Sequence, residues 1–184
     1  MSTFLLSQIL AGVAFALGGI SFQFRARRSV LLCLALLTVF NSSHFLLQGR
    51  LGPAVVLVLT GVRYLVSLYP VDRKIMYVFL TLATGPFALT YQSPLSLLAL
   101  LAVFFGTYGS FQLADRTLRI FIMCGNSTWL LHNLLAGTPV AALMEAAFLA
   151  SNVLGHWRFY GWHRDQFPVP PSTRSLNLPL RVRV

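Results

Sequence analysis

The chain has 184 residues, of which 57% are apolar and only 10% charged, and its mean hydropathy is +0.73. Soluble domains carry about 25% charged residues, so the composition excludes an ordinary water-soluble protein and indicates a membrane protein. Four acids against fourteen bases give a net charge of +10, but the bases sit in short clusters between long apolar runs, which excludes nucleic acid as a partner.

The N-terminus, MSTFLL, has no basic residue before its first apolar run. A retained helix is therefore expected there, although AGVAFA at 11–16 mimics the small-residue cleavage site of a signal peptide. Crossing about 30 Å of hydrocarbon takes roughly 17 to 25 helical residues. Seven segments qualify, near 4–23, 29–48, 51–69, 75–91, 95–113, 117–136 and 139–160. Their short connections predict antiparallel neighbours. After Trp162 the chain turns polar, proline-rich and basic, so 163–184 is expected to be a disordered cytoplasmic tail. Cys33 and Cys124 lie inside apolar segments without CxxC or metal spacing and are expected to pack.

Lys and Arg alternate between the loops. Arg25, Arg27, Arg28, Arg73, Lys74, Arg116, Arg119, Arg158, Arg164, Arg174, Arg181 and Arg183 fall on one side, and only Arg50 on the other. That asymmetry predicts an outside N-terminus and a cytoplasmic C-terminus. Sliding the chain by 88 residues aligns Gly18 with Gly106, Arg28 with Arg116, His44 with His132 and Gly49 with Gly137. Phe22-Gln23 recurs as Phe111-Gln112, one residue out of that register. The expected fold is an all-α membrane protein whose seven transmembrane helices form a parallel 3+1+3 repeat. Its parts are a first three-helix repeat at 1–70, linker helix 4 at 71–93, and a second three-helix repeat at 94–162.

Most of the polar residues inside the apolar segments lie between Trp129 and Tyr160. Trp129, His132 and Asn133 share one helix face, and Glu145, Asn152 and His156 share another. Trp129-x-x-His132-x-x-x-x-Gly137, followed by Asn152-x-x-Gly155 and Tyr160, resembles the second repeat of the SWEET and PQ-loop (MtN3-like) transporters. The FQ dipeptides resemble the PQ that ends the first helix of each repeat there. More closely, the chain resembles the YgjV family of small bacterial inner-membrane proteins over about 1–162, through FQFRARR, the Asn41/His44 helix and WLLHNLLAG with Glu145 and Asn152. The resemblance implies a multi-pass protein of the bacterial inner membrane, with Asn152 and the helix-6 aromatic as substrate contacts and a homo-oligomer as a possible assembly. The sequence departs from the transporter pattern in carrying Phe22 and Phe111 for the PQ proline. No proline interrupts helices 1, 2, 5 or 6, which leaves Gly18-Gly19 and Gly106/Gly109 as hinges. The first copy also lacks the N-x-x-G.

Glu145 is the only acid within a span. Such residues face a cavity or a partner, and at 1.5 Å per residue it lies about 9 Å from the outer helix end. His44 and His132 lie at about 6 Å. An ion-coupling site of Glu145, His132 and His44 is expected, against the plainer reading of a structural Glu–His bond or helix-end histidines. Trp129, Asn133, Asn152 and Asn41 are the candidate substrate contacts. An aromatic face with amides suits a small polar solute such as a sugar or nucleoside. The plainer alternative is interhelical hydrogen bonding and packing. Thr60, Thr107 and Ser110 are candidate lining residues, and Arg63 is expected to snorkel to the headgroups. His156 is about 16 Å beyond Glu145, and there is no HExxH, phosphate loop or embedded Ser-His-Asp set. No metal, cofactor or enzymatic activity is expected. The functional expectation is a transporter or facilitator of a small polar solute within the lipid bilayer. The alternative is a non-transporting subunit or sensor that binds a partner protein.

Overall fold

Apolar runs punctuated by glycine, proline and basic clusters fold into seven α-helices: α1 Thr3–Ser21, α2 Arg27–Leu47, α3 Leu51–Val66, α4 Arg73–Thr90, α5 Leu95–Ser110, α6 Asp115–Leu135 and α7 Pro139–His156. The chain runs on from α7 into one π-helical turn, Trp157–Gly161. This computed structural model describes residues 2–90 and 94–161, and no strand occurs among them. The expected tail at 163–184 lies outside the described residues.

α3 and α5 each end three residues earlier than their hydropathy predicts. α3 stops at Val66, where the Ser67 hydroxyl donates back to the Arg63 carbonyl at 2.7 Å and Pro70 biases Tyr69 away from helix. α5 stops at Ser110, whose hydroxyl donates to the Thr107 carbonyl at 2.8 Å. Each has 16 residues and so spans about 24 Å. Phe22 and Phe111 take equivalent places, as the C-caps of α1 and α5.

The turns after α2 and α6 are near copies. Gly49 and Gly137 adopt φ of 72° and 68°, the left-handed conformation that glycine enters without steric cost. The amide N of Arg50 donates to the Phe45 carbonyl at 2.9 Å, and that of Thr138 to the Asn133 carbonyl at 3.0 Å. Both are the six-residue closure that reverses a chain at a helix C-terminus. Pro139 then opens α7, where its missing N–H is not needed.

Within the first group α1 packs on α2 and α2 on α3; within the second α5 packs on α6 and α6 on α7. The groups meet where α1 touches α7 and α3 touches α5, and α4 lies against α5. This path gathers the loops 22–26, 67–72 and 111–114 and the π turn at one end, here called the basic end. The turns 48–50 and 136–138 lie at the opposite end. Large apolar side chains cover the outside, among them Phe4 (70% exposed), Leu51 (67%), Val140 (73%) and Leu143 (72%). An aqueous monomer does not carry so much contiguous apolar surface.

The apolar core is off-centre. Phe22, Val30, Leu31, Leu34, Leu118 and Ile122 form it, where the end of α1 meets the basic halves of α2 and α6. Farther from that end the buried residues are small, such as Ser7, Ala14, Ser42, Ala54 and Ala102, so the helices there approach closely within each group. Gly155 carries the tightest approach between groups. A Cβ there would collide with the Phe22 carbonyl oxygen and stand 2.9 Å from Arg119 Nη1. Gly155→Ala is therefore expected to destabilise the fold by about 1–3 kcal/mol through overpacking against backbone. Gly12→Ala, with nothing within 4 Å of the added methyl, is expected to be neutral or stabilising. Thermal unfolding of both variants in detergent checks the contrast.

Candidate functional site

Between the two groups lies a cavity of about 400 Å³. α1, α2, α3, α5, α6 and α7 all contribute to its wall, and α4 closes one side with Phe79, Leu82 and Ala83. The helix expected to link the two groups is thus also part of the wall.

The polar wall residues fall at three depths. Asn41, Trp129 and Glu145 each sit six residues inside the opposite end of their helix, about 9 Å deep. Thr38 and Asn126 sit nine residues inside, about 13 Å deep. Arg63 and Thr107 sit twelve residues inside, about 18 Å deep. Thr60 of α3 adds a hydroxyl to the wall.

Arg63 does not snorkel. It is 7% exposed, its Nη1 donates to Thr107 Oγ1 on α5, and its guanidinium lies 4.8 Å from the Tyr64 ring centroid. Its Nε has no partner, and neither has the Asn126 Nδ2. No hydrogen bond or ion pair reaches Glu145 among the described residues. The cavity thus presents a buried guanidinium and a half-buried carboxyl group that protein partners leave partly or wholly unsatisfied. Arg63 could have been read as a wall residue because an ionisable side chain at membrane depth marks a site by default. Asn126 could have been read from its i, i+3 spacing to Trp129.

The structure brings three of the seven candidate residues, Asn41, Trp129 and Glu145, to the cavity. The others have different surroundings. Asn152 is fully buried, and its Nδ2 donates to the Arg119 carbonyl at 3.0 Å. Asn133 accepts the Thr138 hydroxyl at its carbonyl, 3.1 Å, and at Oδ1, 3.4 Å, and so serves the α6–α7 turn. His44 Nδ1 lies 2.7 Å from the Ser7 carbonyl, pinning α2 to α1. His132 lies edge-on to Trp129, centroids 5.3 Å apart, with its Nδ1 3.4 Å from Asn133 Oδ1. Glu145, His132 and His44 therefore do not gather, and no three His, Cys, Asp or Glu side chains do so among the described residues. Ser110 is buried against α5 rather than lining the cavity.

The floor of the site, toward the basic end, is tied by two arginines. Arg27, the first residue of α2, donates to Ser67 O (2.5 Å) at the end of α3, and to Ser110 O (2.8 Å) and Gln112 O (2.6 Å) at the end of α5. Arg119, in the first turns of α6, donates to Phe22 O (2.8 Å) and Phe24 O at the end of α1. Its Nε meets Asp115 Oδ2 at 2.8 Å, which also accepts the Tyr160 hydroxyl at 2.5 Å. Gln23 Nε2 adds a bond to Ser151 Oγ at 2.8 Å. The N-x-x-G run belongs to this tie, since Asn152 holds the Arg119 backbone and Gly155 admits the Phe22 carbonyl beside the Arg119 guanidinium.

Residues 5–163 match the family Imp-YgjV, described as "Bacterial inner membrane protein". The chain belongs to the Imp-YgjV family. A similar protein is "Inner membrane protein YgjV" of Escherichia coli strain K12, 26% identical over 180 residues that cover 96% of this chain and 98% of that protein. No solved structure matches. Membership of Imp-YgjV agrees with the apolar exterior and implies contact with the lipid bilayer.

Asn152 and Asn126 separate architecture from site. Asn152→Ala removes the partner of a buried backbone carbonyl and is expected to lower stability by about 1–3 kcal/mol. Asn126→Ala removes an amide donor that no protein group accepts and is expected to change stability by less than that. Differential scanning fluorimetry of both purified variants in detergent checks the ranking.

Proposed function

We propose that the chain transports a small polar solute across the inner membrane, by alternating access between the α1–α3 and α5–α7 groups as a parallel 3+1+3 repeat. The observation that carries this reading is the composition of the cavity wall. Gly18 and Gly106, Leu34 and Ile122, Leu37 and Gly125, Thr38 and Asn126, Asn41 and Trp129, Leu57 and Glu145, and Thr60 and Phe148 all line it, and the members of every pair are 88 residues apart. A cavity walled by equivalent positions of two units lies on the axis that relates them, where transporters built from parallel repeats hold their solute. The packing supports the same relation, because the offset exchanges the α1–α7 contact with the α3–α5 contact.

The mechanism follows from the asymmetry of the ties. Among the described residues, the side-chain hydrogen bonds that join the two groups lie in their basic halves, from Arg27, Arg63, Arg119, Gln23 and Ser151. In this reading the twelve bases put that end in the cytoplasm and the N-terminus outside. The conformation is then closed to the cytoplasm, and transport requires the arginine ties to open while the opposite ends close. Gly18 and Gly109 are packed against Phe148, Leu37 and Phe121. They fit as pivots of close contact rather than as loose hinges. The likeness to SWEET and PQ-loop transporters belongs to this proposal, and Trp129 on the wall supports it. No covalent step is part of the reading.

Purified chain reconstituted alone in liposomes is expected to catalyse flux of at least one solute from a radiolabelled panel of sugars, nucleosides and amino acids. Gln23→Cys with Ser151→Cys, bridged by a short bis-maleimide in a Cys33→Ser, Cys124→Ser background, is expected to abolish that flux. Flux unaffected by the bridge would remove alternating access, and no flux across the panel would favour a subunit or sensor.

A further inference from the structure

We infer that the cavity is a binding site for a small zwitterion, an amino acid with an apolar side chain, whose carboxylate lies on Arg63 and whose ammonium lies on Glu145. The inference rests on the cavity being the solute site and narrows its ligand class; it does not depend on flux.

Arg63 and Glu145 face the same cavity from α3 and α7, one in each group. An ionisable side chain within a span is tolerated when it has a partner, and neither has an ionic one among the described residues, where the one ion pair is Arg119–Asp115. The two do not form an ion pair with each other. Arg63 has five donor positions and spends one on Thr107, while its Nε is free. A carboxylate completes that fork, and the partnerless Asn126 amide, midway in depth, offers it a further donor.

At the Glu145 level the wall also holds Trp129. A carboxylate beside an indole is the surrounding that favours a substituted ammonium, by charge and by cation–π attraction. A ligand that carries a carboxylate and an ammonium offers a partner to both groups at once, and an α-amino acid is the simplest such molecule with a side chain of its own. The rest of the wall, including Leu37, Leu57 and Phe148, is apolar and accommodates a hydrocarbon side chain. A neutral sugar leaves both protein charges uncompensated, a simple anion leaves Glu145, and a simple cation leaves Arg63.

The test is thermal unfolding of the full chain in detergent against leucine, phenylalanine, glycine betaine, 4-methylpentanoate, 3-methylbutylamine, glucose and uridine. Leucine or phenylalanine is expected to stabilise it, with the two singly charged analogues of leucine at least about tenfold weaker than leucine. Glu145→Gln is expected to bind 4-methylpentanoate as well as it binds leucine. Arg63→Gln is expected to do the same for 3-methylbutylamine. Because Arg63 is buried, Glu145→Gln decides alone if Arg63→Gln fails to fold. Stabilisation by no zwitterion, equal stabilisation by glucose or uridine, or an unchanged preference in Glu145→Gln overturns the inference. Zwitterion binding without flux in liposomes sinks transport and leaves this site standing; flux of a sugar without zwitterion binding does the reverse.

Discussion

The fold depends on a fully buried arginine where α1, α6, α7 and the π turn meet. Arg119 reaches from α6 to the carbonyls of Phe22 and Phe24 beyond α1, with Asp115 as counter-ion and the Phe159 ring 5.1 Å from its guanidinium carbon. A helix C-terminus ends in carbonyls without intrahelical donors and carries the negative end of the macrodipole. In hydrocarbon no water satisfies those groups, and an unsatisfied one costs several kcal/mol. A guanidinium at that point offsets two costs together, its own desolvation and that of the helix end. Arg27 does the same for the ends of α3 and α5. Each arginine begins the second helix of one group and holds the end of the first helix of the other. The two ties are therefore reciprocal, and neither group can move at this end without breaking both.

The rest of the architecture is a consequence of that placement. With the large apolar core and the arginines at the basic end, the opposite halves of the helices pack through serine and alanine within each group. Small residues let helices of one group approach closely but provide little to hold one group to the other. The space left over becomes the cavity. Its wall needs α4, because α3 and α5 meet only narrowly and Phe79, Leu82 and Ala83 fill the side they leave open. Phe79 is fixed by its ring contact with Phe111, centroids 5.8 Å apart, so the linker helix is anchored at the C-cap of α5.

Much of this was legible in the sequence, for identifiable reasons. Long apolar runs define helices in a membrane because nothing else satisfies the backbone there. Gly49 and Gly137 marked true reversals because a left-handed backbone favours glycine. Asn41, Trp129 and Glu145 were found because polar or amphipathic groups within a span avoid lipid. What hydropathy does not report is which interior a buried face looks into. Asn152, His44 and Asn133 are as polar as the cavity residues, but their partners are carbonyls and a hydroxyl of neighbouring turns, which only packing reveals. Arg63 was assigned to the headgroups because its distance from the helix end permits snorkelling. The pairing with Thr107 on a helix 44 residues away in the chain could not be seen. The early ends of α3 and α5 had local causes in Ser67, Pro70 and Ser110, which a hydropathy window averages away.

The helices carry ionisable side chains of two kinds. Arg27 and Arg119 donate to five carbonyl oxygens between them, and Arg119 is also paired with Asp115, so both belong to the scaffold. Arg63 and Glu145 lie at comparable or greater distance from the helix ends, yet one donates to a single hydroxyl and the other accepts from nothing among the described residues. A scaffold has no use for a charge that it leaves unsatisfied, since replacing such a pair with well-packed apolar side chains is often neutral or stabilising. An unsatisfied charge that faces a cavity, with aromatic and amide groups at neighbouring depths, is instead an interaction waiting for a ligand. The cost of leaving it unsatisfied is the differential that a ligand of matching charge relieves on binding.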